Sequence, residues 1–298
     1  MHKFLRAIGF SQFDTRKKIQ SLVRASVLNS SEKVFTTNGD DTMLAEYCKD
    51  FSSYNSHRFG IAICGELSDD DSKFSYDYYY PYLRTNKISS CEDISIERHA
   101  GKESYAGICD DIRVGISLIF YLQNMIDYVK IKNNNRLPIR GTSLCLSALS
   151  VEGMIMMPIN KSEKQREDVK KKTNHRYRLI QAAREGDEKA IESLTLDDMD
   201  IYSSISKKIR EEDVFSIVDS YFMPYGVECD QYSILGEIVE CEKVKNELTQ
   251  ENIYVMSINC NELYFDLCIN EQDIFGEPEV GRRFKGSIWL QGYINFPN

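Results

Sequence analysis

The stretch from Tyr221 to Tyr232 is unusual because it places aromatic rings, a thiol and two acids close together. Tyr225, Glu228, Cys229 and Asp230 carry groups that can stack on a ligand or form hydrogen bonds with it. The stretch also joins two parts of the chain that differ in patterning, and crevices between such parts are favoured ligand sites. We therefore predict these four as the ligand-binding residues. A hinge whose aromatic residues pack to fix the orientation of two domains would have the same composition.

A catalytic thiol is a second kind of chemistry that the sequence allows. Cys109 and His99 are candidates for a nucleophile and its base, with Glu97 or Asp110 as the acid that orients the histidine. No spacing requires this pairing, and a histidine at a strand end beside a buried thiol is the simpler interpretation. The nine cysteines are odd in number and include no Cys-x-x-Cys pair, which indicates reduced structural thiols rather than disulfides or a zinc site.

Motifs that bind nucleotides or activate a serine are missing from the sequence. It has no Gly-x-x-x-x-Gly-Lys, no Gly-x-Gly-x-x-Gly and no Gly-x-Ser-x-Gly. The four histidines are widely separated, and the acidic run 66–71 lacks the spacing of a calcium loop. We therefore assign no catalytic residue, no metal ligand and no cofactor.

The net charge of −9 argues against nucleic-acid binding, because neutralising phosphates requires an excess of lysine and arginine. Segment 161–184 is the exception, with nine basic and three acidic residues, and it could contact phosphates or form a solvated helix. Residues 230–298 hold five basic and twelve acidic residues, which repel a phosphate backbone. The sequence shows neither a secretory signal nor an apolar run long enough to cross a bilayer, which predicts a cytoplasmic protein without membrane contacts.

Hydrophobic periodicity predicts a mixture of helices and strands in the first half of the chain. Helical segments are expected at Phe4–Ile8, ended by Gly9, at Thr15–Ser26, capped by Asp14, and at Thr42–Lys49. Strands are expected at Phe59–Gly65, Phe74–Tyr82, Ile94–Arg98, Tyr105–Cys109, Ser143–Ser150 and Met154–Ile159. In the range 114–130, apolar residues first alternate as in a strand and then recur at helical spacing, which predicts a strand followed by a helix. Glu152 and Gly153 predict a tight hairpin between the last two strands.

These patterns predict an α+β fold in three parts. Residues 1–160 form a mixed α+β domain, residues 161–229 a helical connecting block, and residues 230–298 a small all-β barrel of OB or SH3-like type. The barrel strands are expected at Ile234–Glu240, Ile253–Cys260, Leu263–Ile269 and Arg283–Phe296. Trp289, the only tryptophan, is expected in the barrel core.

Three strings carry a resemblance to a known family. They are the opening Met1–Ser11, the junction Phe222–Asp230 and the ending Gly281–Gly292. Over its full length the chain resembles a bacterial family described as a domain of unknown function. The resemblance implies a cytosolic protein from anaerobic Gram-positive bacteria, and it brings no activity, cofactor or site residue with it.

The leading functional interpretation is a non-catalytic protein that binds a protein partner or a small molecule. One alternative is an enzyme with its site where the helical block meets the barrel. The other is nucleic-acid binding through the basic segment 161–184. The sequence leaves the identity of the partner and the oligomeric state open.

Overall fold

A computed structural model of the chain describes most of its residues. The described residues are 2–37, 43–52, 58–67, 74–101, 103–134, 141–159, 171, 175–183, 185–196, 218–226 and 229–297. They form fourteen strands, in one sheet of four and one of ten, with helices around them. The fold class is α+β, as predicted, and strands predominate.

The first sheet is antiparallel and consists of four consecutive strands. They are β1 (Glu32–Thr37), β2 (Met43–Asp50), β3 (Arg58–Leu67) and β4 (Phe74–Arg84). Strand β3 is almost wholly apolar and lies inside the sheet, as its sequence predicts, while β4 with its Pro81 lies at the edge. The helix predicted at Thr42–Lys49 is wrong: its described residues belong to β2, which pairs with β1 over residues 43–48 and with β3 over its whole length.

Two helices flank this sheet. Helix α1 (Arg16–Leu28) contacts β2 and β3 and buries the predicted apolar stripe of Ile19, Leu22 and Val23. Its cap is Thr15, whose hydroxyl accepts from the Lys18 amide, and not Asp14, which forms an ion pair with the Lys18 side chain instead. Helix α2 (Met125–Asn133) contacts β1 and β2.

The second sheet contains a closed five-stranded barrel. Strand β8 (Ser143–Met156) pairs with β12 (Leu263–Asn270), which pairs with β11 (Asn252–Cys260). Strand β11 pairs with β10 (Gln231–Lys245), which pairs with β14 (Arg283–Asn295). The pairing of β14 with β8 closes the barrel. The barrel predicted from residues 230–298 alone is therefore incomplete, because β8 from the first half of the chain is its fifth strand.

Five shorter strands extend or flank the barrel. They are β5 (Ile94–Arg98), β6 (Tyr105–Asp111), β7 (Ile116–Leu122), β9 (Tyr221–Pro224) and β13 (Ile274–Phe275). The end of β14 pairs with β7, and β6 and β5 follow in order, so these three continue the sheet beyond the barrel. The strand-then-helix prediction for 114–130 is confirmed by β7 and α2.

The hairpin predicted at Glu152 and Gly153 is wrong, because β8 runs through both residues without a turn. Gly153 lies opposite Gly286 of β14, and the ring of Phe284 covers the α-carbon of Gly153. Glycine is needed here for close approach of an aromatic ring, and not for the positive φ of a tight turn.

The edge of β4 is sealed by side chains of the second sheet. Gln291 donates to the carbonyl of Pro81 at 2.8 Å and accepts from the amide of Leu83 at 3.3 Å. Gln123 and Ser147 both donate to the carbonyl of Leu83, at 2.9 and 2.6 Å. These hydrogen bonds satisfy the backbone groups of Pro81 and Leu83, which would otherwise be buried at the sheet edge without partners. The same hydrogen bonds join the two sheets.

The opening segment forms a 3-10 helix, Lys3–Ile8, that ends at Gly9 with a φ of 91°, as predicted. Phe4, Leu5, Ala7 and Ile8 are buried. Asn246 donates to the carbonyl of Ile8 at 2.7 Å, and Asn270 donates to that of Arg6 at 3.2 Å. These bonds attach the segment to the barrel.

The helical block predicted at 161–229 falls largely outside the described residues. Within it the structure describes two helices, at 175–183 and 188–196. The carbonyl of Met157, which precedes these helices in the chain, and that of Val218, which follows them, both accept hydrogen bonds from the guanidinium of Arg283, at 3.0 and 2.9 Å. The division of the chain into three domains, and the OB or SH3-like type of the barrel, stay predictions.

Candidate functional site

A row of rings runs across the second sheet from β14 over β7 to the residue that follows β5. The ring centroids of Trp289 and Tyr121 are 5.2 Å apart, and those of Tyr121 and His99 are 6.1 Å apart and nearly parallel. The strand register explains the row, because Tyr121 lies level with Gln291, two residues along β14 from Trp289. His99 follows β5, and its Nδ1 lies 2.9 Å from the hydroxyl of Ser104.

The 3-10 helix brings three more side chains to this row. The ring of Phe4 stacks on Trp289 with a centroid distance of 5.3 Å, and the ring of His2 lies 4.7 Å from Trp289. Lys3 is exposed, and its Nζ donates to Oε1 of Gln231 at 2.8 Å. The opening segment therefore covers the indole and adds a cationic group at its margin.

Asp230 stands at the start of β10, beside these rings. The indole Nε1 of Trp289 donates to its Oδ2 at 2.6 Å, and the backbone amide of Leu290 donates to its carbonyl at 2.8 Å. Burial raises the pKa of the Asp230 carboxyl, whereas the indole hydrogen bond and the charges of His99 and Lys3 act in the opposite direction. A partly buried carboxyl that the Trp289 indole holds in place, with the exposed Lys3 bonded to the neighbouring Gln231, is suited to binding a ligand.

Three of the four predicted ligand-binding residues are described by the structure, and their surroundings differ. Tyr225 is exposed, and its backbone amide donates to the carbonyl of Gln231 at 2.8 Å. The thiol of Cys229 is partly exposed and donates to that same carbonyl. Glu228 lies outside the described residues. The structure brings Asp230 into the cluster of rings, and it places Tyr225 directly after β9 and Cys229 two residues before β10.

The structure does not bring His99 and Cys109 together as a catalytic pair. The backbone amide of His99 bonds to Ser104, whereas Cys109 pairs with Ile94 at the other end of β5. Ser104 and Cys109 are five residues apart on an extended strand, which is ~17 Å. Cys109 is fully buried, and burial raises the pKa of its thiol to about 11, which disfavours the thiolate. The simpler interpretation of this thiol agrees with the structure.

Sequence reasoning missed most of the groups around Asp230. His2, Lys3 and Tyr121 lie far from the 221–232 stretch along the chain. Trp289 is 5% exposed, as expected for a core residue, yet its indole N–H is turned toward Asp230. One feature of the sequence could have indicated the contact between Trp289 and Asp230. A buried tryptophan needs an acceptor for its indole N–H group, and an acid at the junction can be that acceptor.

A second polar cluster surrounds the buried carboxyl of Glu46 on the first sheet. The thiols of Cys48 and Cys64 contact its two oxygens at 3.4 and 3.5 Å, and the hydroxyl of Tyr80 lies 3.4 Å away. Arg84 is 3.7 Å from it and supplies the opposite charge. Burial raises the pKa of Glu46 and raises those of both thiols well above the ordinary value. This cluster is closed to solvent and connects strands β2, β3 and β4.

The described part of the chain contains neither a candidate metal site nor a helix that could span a membrane. Among the described residues, no group of three or more His, Cys, Asp or Glu side chains is arranged to hold a metal ion. Every helix in the described ranges is too short or too polar to span a bilayer.

The comparisons with known proteins agree with the resemblance seen in the sequence. A family described as "Domain of unknown function, E. rectale Gene description (DUF3881)" matches residues 5–292. No curated protein and no solved structure gives a significant match, so the enzyme and nucleic-acid alternatives gain no support from named relatives. Because the match covers nearly the whole chain, the chain belongs to the DUF3881 family of domains of unknown function.

Proposed function

We propose that this chain is a non-catalytic protein that binds a small molecule at Asp230. The Asp230 site is defined as the cluster of Asp230, His2, Lys3, His99, Tyr121 and Trp289. The observation that carries the proposal is the Asp230 carboxyl itself, which is half-buried and held by the Trp289 indole at 2.6 Å. Taking a carboxyl out of water is unfavourable, and an acid that is fixed among aromatic rings near the exposed Lys3 supports a binding role for this position.

Rigidity supports binding as the role of this site. Four elements that are distant in sequence meet there: the 3-10 helix, β7, β10 and β14. Their rings pack against one another, and the backbone of Leu290 fixes the position of Asp230. Groups held in this way are organised before a ligand arrives, which lowers the entropy lost on binding.

Trp289 provides a direct test, because it is the only tryptophan in the chain. We would titrate the protein with a panel of amino acids, amines, monocarboxylates and nucleosides and follow the tryptophan emission. We expect at least one class of compound to change the emission saturably in the wild type and to lose affinity in Asp230→Asn. Asparagine keeps an acceptor for the indole N–H but removes the negative charge.

Glu279→Gln is the matched control, because Glu279 is an exposed acid that pairs with Arg282, ten residues before Trp289 in the sequence. It should bind with wild-type affinity. The proposal is wrong if no compound in the panel alters Trp289 emission, or if Asp230→Asn binds the active compound as tightly as the wild type does.

A further inference from the structure

The side chain of Lys87 reaches three strands of the barrel from the segment that follows β4. Its Nζ donates to Oε2 of Glu240 and, at 2.5 Å, to the hydroxyl of Ser257, and it lies 3.5 Å from Oδ1 of Asp266. The Ser257 hydroxyl in turn donates to Oδ1 of Asp266. An ammonium group has three hydrogens to donate, and this arrangement offers three acceptors for them.

Strand register aligns the three acceptors. Glu240 of β10 lies opposite Ser257 of β11, and Ser257 lies opposite Asp266 of β12. Residues that are directly opposite in neighbouring strands present their side chains on the same face, about 5 Å apart. The register of β10 shifts by one residue before Glu240, and this bulge brings Glu240 rather than Val239 opposite Ser257. We call Glu240, Ser257 and Asp266 the ammonium cradle.

The floor of the ammonium cradle is closed to solvent. Asp266 is fully buried and Ser257 is buried, whereas the side chain of Lys87 is partly exposed. Burial lowers the pKa of Lys87, but the bonds with Glu240 and Asp266 outweigh this effect, so that the pKa lies above the ordinary value of lysine. The amine is therefore held as an ammonium, and it supplies a positive charge beside a buried carboxyl.

The backbone around Lys87 is fixed independently of the lysine side chain. Thr85, two residues before it, is buried. Two residues after it, the amide of Ser89 donates to the carbonyl of Leu144 at 2.7 Å, and the hydroxyl of Ser89 accepts from the amide of Leu146 at 2.9 Å. Removal of the Lys87 side chain is therefore expected to empty the ammonium cradle without displacing the segment.

We propose that the ammonium cradle is a binding site for a primary ammonium group and that Lys87 is its tethered ligand. The free ligands that match it are small, unbranched primary amines. A quaternary ammonium ion has no hydrogen to donate to the three acceptors, and a neutral alcohol has no charge to pair with Glu240 and Asp266. This site is separate from the binding function proposed for Asp230 and does not depend on it.

Replacement of the lysine by a free amine tests the proposal. Lys87→Ala removes three carbons and the amine, and n-propylammonium has the same atoms. We expect Lys87→Ala to unfold at a lower temperature than the wild type, because the buried carboxyl loses its ammonium. Adding n-propylammonium chloride should raise the unfolding temperature of this variant saturably, since a ligand that binds the folded state stabilises it. Circular dichroism follows the unfolding.

Three controls isolate the ammonium cradle. Tetramethylammonium chloride and n-propanol, at the same concentration and ionic strength, should give no such rise in Lys87→Ala. Lys243→Ala is the matched variant, because the Lys243 side chain is 44% exposed, as that of Lys87 is, but its partner Glu271 is itself 38% exposed. Neither Lys243→Ala nor the wild type, in which Lys87 occupies the site, should respond to n-propylammonium.

A second variant assigns the response to the ammonium cradle. Glu240 is exposed, so Glu240→Gln is expected to fold. Added to Lys87→Ala, it should reduce the rise in unfolding temperature at the same amine concentration, because it replaces a charged acceptor by a neutral one.

The proposal is wrong if n-propylammonium does not stabilise Lys87→Ala, or if it stabilises Lys243→Ala and the wild type equally. An undiminished response in the double variant would also overturn it. If Lys87→Ala is unfolded in buffer alone, n-propylammonium should restore the native circular dichroism spectrum, and failure to restore it contradicts the proposal.

Discussion

The ring of Phe284 occupies the space that a side chain on Gly153 would need. A β-carbon on Gly153 would lie 2.4 Å from Cε2 of Phe284, far inside van der Waals contact. Phe284 is itself fully buried in the barrel, so its ring has no room to withdraw. The pairing of β8 with β14, which closes the barrel, therefore depends on the absence of a side chain at position 153.

Gly153→Ala is accordingly expected to destabilise the protein by ~1–3 kcal/mol through overpacking. Urea unfolding followed by Trp289 emission measures this cost. Phe284→Leu should relieve the clash, so the double variant should lose less stability than the two single variants together. Additive losses would show that the ring and the glycine do not interact in this way.

The same pair of residues shows why part of the fold escaped sequence analysis. A Glu-Gly step between two apolar runs is typical of a hairpin. The same two residues also occur within a straight strand when an aromatic ring, here that of Phe284, packs on the glycine, and the neighbouring sequence does not distinguish the two cases. Strand periods such as those of β3, β5, β6 and β7 were recognisable because they depend on neighbours in the sequence. The membership of β8 in the barrel depends on partners more than a hundred residues away.

Gln291→Leu is expected to destabilise the fold by ~2–4 kcal/mol, because it removes the partners of two backbone groups of β4 and buries them unsatisfied. Gln272→Leu is the matched control, since Gln272 is exposed and its recorded hydrogen bond is made by the backbone amide. It should change stability by less than ~0.5 kcal/mol. Equal effects of the two substitutions in urea unfolding would contradict the role given to Gln291.

Glu46 gives the stability a defined dependence on pH. Burial raises the pKa of Glu46 in the folded protein above its value in the unfolded chain. As the pH rises above the ordinary pKa of glutamate, the carboxyl ionises in the unfolded chain while it is still protonated in the folded protein, and this favours unfolding. The wild type is therefore expected to lose stability as the pH rises toward the folded pKa. Glu46→Gln does not titrate, and its stability relative to the wild type should increase over the same pH range.

The measurement for Glu46 is a series of urea unfolding curves for both proteins between acidic and neutral pH. Glutamine and glutamate also form different hydrogen bonds, but this difference shifts the free energy of unfolding by an amount that does not vary with pH. A stability difference that stays constant, or that favours the wild type more as the pH rises, would contradict the raised pKa.

Arg283→Met should cost ~1–3 kcal/mol, because the carbonyls of Met157 and Val218 lose their shared donor. Arg282 provides the neighbouring control. It is more exposed and pairs with Glu279, so Arg282→Met is expected to cost less than ~1 kcal/mol. Hydrogen exchange at the residues on either side of positions 157 and 218 should increase in the Arg283 variant and stay unchanged in the control.

The thiols should differ strongly in reactivity. Cys91 is exposed, whereas burial raises the pKa of Cys260 to about 12 and that of Cys268 still further. A thiol reagent added to the folded protein is expected to label Cys91 first and to reach the buried thiols only on unfolding. Cys91→Ser should remove the fast phase. A fast phase that persists in this variant would place the accessible thiol elsewhere, with the partly exposed Cys229 and Cys241 as the candidates.

The candidate site was only partly predictable for a related reason. Asp230 could be proposed from its local composition, since an acid among aromatic residues at a junction is visible in a single stretch. Lys3, His99 and Tyr121 reach it through the packing of the 3-10 helix and through strand register, which no local pattern specifies. Cys229 and Tyr225 share the stretch with Asp230, but both bond to the carbonyl of Gln231, a backbone partner that composition does not indicate.

The shared donor at Arg283 has a consequence for how this chain can be altered. Met157 and Val218 are 61 positions apart in the sequence, yet their carbonyls are both within hydrogen-bond reach of one guanidinium group. The chain therefore departs from the barrel and comes back to it at nearly the same point, and the entropy cost of joining two fixed ends grows only slowly with the number of residues between them. A reporter domain fused between these positions is accordingly expected to leave the pairing of β8 with β14 intact.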